Sequence, residues 1–408
     1  MKTWLRNGGS VLETSPILTM GIVLLLTIAM VRVLLQVPSL GDGEVIVDFD
    51  AFYIVGLMIG EGRLDAAYHH ATMFAAQRQF SGTDSFMPWT YPPQFNLLVA
   101  LLPLAERGLA YLLFTGLTFG AYLVVLRRLA GRYLPAVLLA LVPTLMITAL
   151  IGQNGFLTAA LVGWFCVGML RRRITAGLPL GLMVIKPHLG VALGVLCLAR
   201  GGWAVIGLAA AVVVTSGAAA TLAFGIGVWP AFHGGVREAG AFLQAGLYPL
   251  FRMTSLYAAL HTAGVPPRLA MAMQAGLAVL VLAAVVWAAR RLELRHALAV
   301  ACFGSVAISP YTYDYDMTIF GVGVALIIRE IVTRCSLAQK LVLLGLSWLV
   351  GGWGMVNAQL ADADDALQHA VEMDALLSIG GPVYLLLLGL GALFLTRAAA
   401  PAIFRSTA

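Results

Sequence analysis

The residues of this chain best suited to chemistry are carboxylates and cations set against apolar runs. Asp48-Phe49-Asp50-Ala51-Phe52-Tyr53 follows the first such run, and a carboxylate there is of the type that can take a proton from an attacking hydroxyl. Asp48 and Asp50 stand two positions apart and do not share a helix face, so at most one is the base. Asp48 reads equally well as a helix N-cap, accepting from the first helical amides. Lys186-Pro187-His188 interrupts a stretch of leucines and valines. An ammonium inside an apolar span costs at least about 2.5 kcal/mol unless paired or solvated, and a phosphate is its natural partner. The plainer reading is a lysine reaching out to the membrane interface. Tyr311, Tyr313 and Tyr315 alternate with Thr312, Asp314 and Asp316 between two apolar runs. Tyrosine faces and carboxylate oxygens together hold sugar rings; an aromatic belt with solvated acids is the alternative. Trp89-Thr90-Tyr91-Pro92-Pro93 reads as belt plus proline helix start, and Gly152-Gln153-Asn154 as a plain turn.

These residues need elements to position them. Phe49, Phe52, Tyr53, Gly56 and Gly60 recur at helical spacing, which predicts an amphipathic helix over 47–60, lying at the outer interface with Asp48 at its start. The wider chain is apolar: hydrophobic residues make up 61% of 408 and charged residues 11%, with mean hydropathy +0.92. Soluble domains carry roughly 25% charged residues, so water cannot be met on all sides. The expected architecture is an all-α, polytopic membrane bundle of about ten to twelve spans, each needing roughly 20 apolar residues. Continuous rather than alternating apolar stretches argue against a β-barrel.

The formal net charge of +6 does not imply nucleic acid. Its basic residues cluster between apolar runs, at Arg127-Arg128, Arg171-Arg172-Arg173, Arg290-Arg291 with Arg295, and Arg329 with Arg334, as cytoplasmic loops do. Lys2 and Arg6 precede the run from Pro16 to about Gln36, which reads as a retained anchor with a cytoplasmic amino terminus. A loop over 37–92, rich in acids, and a second non-membrane stretch over 227–252, with Trp229, His233, Arg237 and Glu238, are expected on the outer face. A further acidic stretch holds Asp362, Asp364, Asp365, Glu372 and Asp374. The run over 94–105 is short for a span, and Lys186 divides 176–199 into what could be two half-spans. Residues 1–408 are read as a single transmembrane domain. Cys166, Cys197, Cys302 and Cys335 lie in or beside apolar runs without metal-ligand spacing and read as small buried hydrophobes.

Taken in order, Asp48-Phe49, Phe52-Tyr53, Tyr91-Pro92-Pro93, Gly152-Gln153-Asn154, Ala176-Gly177, Leu180-Gly181-Leu182, Lys186-Pro187 and Ser309-Pro310 resemble glycosyltransferase family 87 over residues 45 to 330. That family comprises polyprenyl-phosphate-mannose-dependent mannosyltransferases of the GT-C class. The resemblance implies a polyprenyl-phosphate sugar donor, a lipid or polysaccharide acceptor, inversion at the anomeric carbon, and no metal or other cofactor. It implies the base role for Asp48, with Asp50 in reserve, and Lys186, Arg237 or Arg252 as cations for the departing phosphate. Tyr53, Tyr91, Gln153, Asn154, Tyr311, Tyr313, Asp314 and Asp316 are the candidates for holding sugar and acceptor. The chain departs from the family pattern at Tyr311–Asp316, where a tryptophan and a histidine are common. It also departs at His69-His70, where an aspartate is usual, and at Thr254-Ser255-Leu256, where a glutamine-serine pair is common. The resulting expectation is a multi-pass enzyme of a bacterial cytoplasmic membrane, amid membrane lipids, with its site on the outer face. A transporter or flippase of a lipid-linked saccharide is the competing reading. The long outer loop and the absence of inverted repeats argue against it.

Overall fold

The computed structural model describes residues 13–36, 48–82, 84, 86–361 and 376–399. Lys2, Arg6 and the acidic residues 362–374 fall outside them. The described chain is helical, with one isolated antiparallel bridge, Met253 to Tyr313. Among the described residues, six helical stretches are long and apolar enough to cross a membrane: Pro16–Leu35, Arg107–Ile151, Trp203–Phe224, Pro267–Arg291, Leu337–Asn357 and Gly380–Arg397. The second contains two helices, Arg107–Ala130 and Leu134–Ile151, joined by a short 3-10 turn. Apolar helices of 10–17 residues, such as Gly155–Leu170 and Leu294–Ala307, lie among them. Leu222, Val279 and Leu280 are at least two-thirds exposed, so these helices turn apolar side chains outward, as a polytopic membrane protein must.

The chain divides into two compact units, one of residues 1–23, 126–144 and 250–408, the other of 24–125 and 145–249. In the second, helix Asp48–Gly60 starts with two acids in its first turn, where the helix dipole favours negative charge. The helix is present where spacing predicts it, but it is not amphipathic: none of residues 48–59 is exposed. Ile54, Val55 and Met58 cover the face opposite the aromatics and are buried too, so the helix is apolar all round and sits inside. Gly56 lets it press onto the next segment, since a Cβ there would stand 2.5 Å from the Val99 carbonyl oxygen and 2.7 Å from Pro103. Gly177 and Gly181 lie one helical turn apart and seat helix Gly177–Leu182 against Trp203–Phe224, facing the Val205 and Ala209 carbonyls, a small-residue contact suited to helices in lipid. The stretch 176–199 breaks where Lys186 predicts. The 3-10 turn Met183–Ile185 ends at Lys186, and Pro187 opens helix Pro187–Ala199, because a residue before proline is pushed out of the helical region.

The first unit is built on a helical hairpin, Leu294–Ala307 and Met317–Arg334, in which every residue from Met317 to Ile328 is buried. Helix Leu337–Ala361 ties onto Leu134–Ile151: Ser347 and Trp348 donate to the Ala140 and Leu139 carbonyls, each at 2.7 Å. All four cysteines are buried and unbridged, as expected of small hydrophobes.

Candidate active site

In the unit holding residues 24–125 and 145–249, three distant segments converge on Asp48. Gln153 donates from Nε2 to Asp48 Oδ2 at 3.0 Å. Gln153 Oε1 in turn accepts from the Tyr91 hydroxyl and from the Asn154 amide, both at 2.9 Å. Two donors on that oxygen leave the amide nitrogen to face Asp48, so the Asp48 carboxylate is aimed by a side chain over a hundred residues away. Gly152 makes the approach possible. Its φ is +65°, and a Cβ would stand 2.6 Å from Phe49 Cβ and 2.9 Å from the Tyr111 ring. The turn expected at 152–154 is therefore present, and it also delivers Gln153. Asn154 is fully buried, and its side-chain oxygen and nitrogen have no hydrogen-bond partner among the described residues.

Asp50 has a different setting. Both carboxylate oxygens face Arg107, whose Nε donates at 2.5 Å and whose second nitrogen closes a bidentate pair. Asp50 is 1% exposed and Arg107 9%. Arg107, which also lies over the Phe80 ring at 5.3 Å, was not singled out from sequence. The only signal was its position, as the one cation between the runs 94–105 and 108–126. Tyr53 turns its hydroxyl to the Ala105 carbonyl at 3.2 Å.

Trp89 departs from the belt expected of it. It is 1% exposed, donates to Asn96 Oδ1 at 3.1 Å, and stacks among Phe52, Tyr91 and Phe95. Asn96 donates onward to the Tyr68 hydroxyl, which donates to the Tyr91 carbonyl, both at 2.9 Å. Burial raises the Tyr68 phenol above its ordinary pKa, so it stays a donor. A buried indole with its N–H satisfied is a core element, and this one braces the segment that carries Tyr91. Lys186 is buried at the break before Pro187. Arg237 is exposed on helix Val228–Ala245, and no described contact joins it to Asp48.

The other unit gathers the remaining candidates. Arg252 grips Asp314 through Nε and a terminal nitrogen at 3.1 and 3.0 Å and lies over the Tyr313 ring at 5.7 Å. Tyr313 stacks on Tyr315 and meets Tyr311 edge-on. Asp316 accepts from the Tyr313 amide at 3.2 Å, capping the short turn Asp314–Asp316. The Thr254 amide reaches the Thr312 carbonyl at 2.8 Å. Asp314 and Asp316 are at most 1% exposed, so these acids are not the solvated belt that the plainer reading expected. Among the described residues no three His, Cys, Asp or Glu side chains gather in a way that could hold a metal ion.

The model of glycosyltransferase family 87 matches residues 89–310, more than half of the sequence. The chain belongs to glycosyltransferase family 87. No curated protein and no solved structure matches it. The matched stretch of this family 87 chain holds Tyr91, Gln153, Lys186, Arg237 and Arg252. It begins after Asp48 and Asp50 and ends before Tyr311. Membership makes the chain a membrane glycosyltransferase.

Proposed function

We propose that this chain moves a sugar, mannose first among them, from a polyprenyl-phosphate donor to a lipid or polysaccharide acceptor on the outer face of a bacterial cytoplasmic membrane. Asp48 is the general base. Its carboxylate takes the proton of the acceptor hydroxyl as the oxygen attacks the anomeric carbon. The bond from that carbon to the phosphate oxygen breaks with its electron pair, and polyprenyl phosphate leaves from the opposite side, inverting the centre. Cations stabilise the charge that collects on the departing phosphate, Lys186 first, with Arg237 and Arg252 as the other candidates. Tyr53, Tyr91, Gln153, Asn154, Tyr311, Tyr313, Asp314 and Asp316 hold sugar and acceptor. The observation that carries this reading is the contrast between the two acids. Asp50 is clasped by Arg107, whereas Asp48 stands at a helix start with its carboxylate oriented by Gln153.

The test is turnover by purified protein given polyprenyl-phosphate mannose and candidate acceptors. Wild type should release free polyprenyl phosphate and Asp48→Asn should release roughly a hundredfold less or below, the scale of a lost general base. Equal turnover in Asp48→Asn would overturn the assignment.

A further inference from the structure

In the unit of residues 1–23, 126–144 and 250–408, a cavity of about 360 Å³ is lined by Arg128, Arg132, Arg295 and Arg329 with Tyr133, and no carboxylate lines it. Arg295 holds the backbone together here, donating to the Leu326 carbonyl at 2.6 Å and to those of Leu129 and Ala325. It thus covers the carbonyl end of helix Arg107–Ala130 and two mid-helix carbonyls of Met317–Arg334. That one helix end carries roughly half a negative charge, so it offsets only part of one of the four guanidinium charges. Arg132 donates to the Tyr133 hydroxyl at 2.8 Å and lies over its ring at 4.9 Å, which fixes its fork without neutralising it. Arg128, Arg132 and Arg329 are exposed. Glu330, the nearest acid in sequence, faces His296 at 3.6 Å. Four guanidinium groups therefore converge on one cavity that no carboxylate lines.

We infer that this cavity binds the phosphate of an anionic lipid headgroup, in the leaflet at the arginine end of the unit. Arginine forks match phosphate oxygens, and basic pockets between membrane helices take such headgroups. The surroundings favour a lipid over a dissolved ion. Trp287 is 58% exposed one turn before Arg290-Arg291, and Leu337 and Leu341 are 53% and 57% exposed just after Arg334, an aromatic, basic and apolar edge of the interfacial kind. The cavity is also separate from the Arg252–Asp314 cluster. Helices Leu294–Ala307 and Met317–Arg334 run between the two, and at about 1.5 Å per residue they hold them roughly 20 Å apart.

Native mass spectrometry of the purified full chain tests this with phosphatidylglycerol, phosphatidylcholine and inorganic phosphate as probes. Wild type should retain phosphatidylglycerol over phosphatidylcholine, and inorganic phosphate should not displace it. Arg132→Gln with Arg329→Gln should lower that retention roughly tenfold through lost charge-assisted contacts. Arg290→Gln with Arg291→Gln, at the same end but outside the cavity, should leave it unchanged. If the double variant does not purify as a monodisperse protein, Arg132→Gln alone carries the test. Equal loss in both double variants would mean diffuse surface charge, displacement by inorganic phosphate would mean a soluble anion, and equal retention of both lipids would mean no headgroup site. Each of these overturns the inference.

Discussion

At the scale of single residues, Asp48 and Asp50 show how two neighbouring carboxylates acquire different fates from their surroundings. Asp50 and Arg107 form a buried ion pair, and removing one partner leaves an uncompensated charge, at a cost of about 3–5 kcal/mol. Asp50→Asn is therefore expected to unfold at a markedly lower Tm. Replacing both partners, as Asp50→Leu with Arg107→Met, should recover most of that loss and also restore transfer. A double variant that is stable yet inactive would return the base role to Asp50. Gln153 donates to Asp48 and accepts from the buried Tyr91 hydroxyl, so Gln153→Leu should lower kcat by roughly tenfold or more and, by stranding buried polar groups at about 1–3 kcal/mol, lower Tm as well. Gln153→Glu would place two carboxylates in contact and raise the pH at which activity appears, because a like charge lifts a carboxyl pKa. A purely structural Gln153 would move Tm without moving the pH profile.

At the scale of elements, the site depends on turns that allow close approach. Gly152 combines a positive φ with contact to Phe49 and Tyr111. Gly152→Val adds left-handed strain of about 1–2 kcal/mol and pushes the turn away from Asp48. Expected outcomes are a lower Tm and loss of transfer even though every site side chain is intact. Much at this scale was readable in the sequence. The proline at 93, the break at Lys186-Pro187 and the turn at 152–154 all follow from local backbone preferences, and all are present. The burial of helix Asp48–Gly60 was not readable, because its aromatic and glycine positions do lie on one face. Only the tertiary packing shows that the opposite face, with Ile54, Val55 and Met58, is buried as well.

At the scale of the whole molecule, helices with exposed leucines and valines require lipid around them, and arginine clusters at one end of the first unit set the expected orientation. All four native cysteines are buried, so a single new cysteine reports cleanly. Arg334→Cys, at an exposed position, should resist a membrane-impermeant maleimide in intact cells and react in inside-out vesicles. Labelling from outside in intact cells would reverse the orientation and, with it, the outer-face reading of the site.

Composition determined that this protein is membrane-embedded, since a chain so poor in charge has no other stable solvent, and the continuity of its apolar runs determined that it is helical. The ordered short motifs pointed to family 87, and local preferences placed the helix starts and breaks. Pairing was decided only by the tertiary structure. That Gln153 turns to Asp48, that Arg107 takes Asp50 and that Arg252 takes Asp314 are contacts between residues 57 to 105 positions apart. Spacing along a chain encodes faces of a helix, which repeat within a few residues, whereas the choice of partner for a buried charge is made by packing between segments that carry no local record of one another.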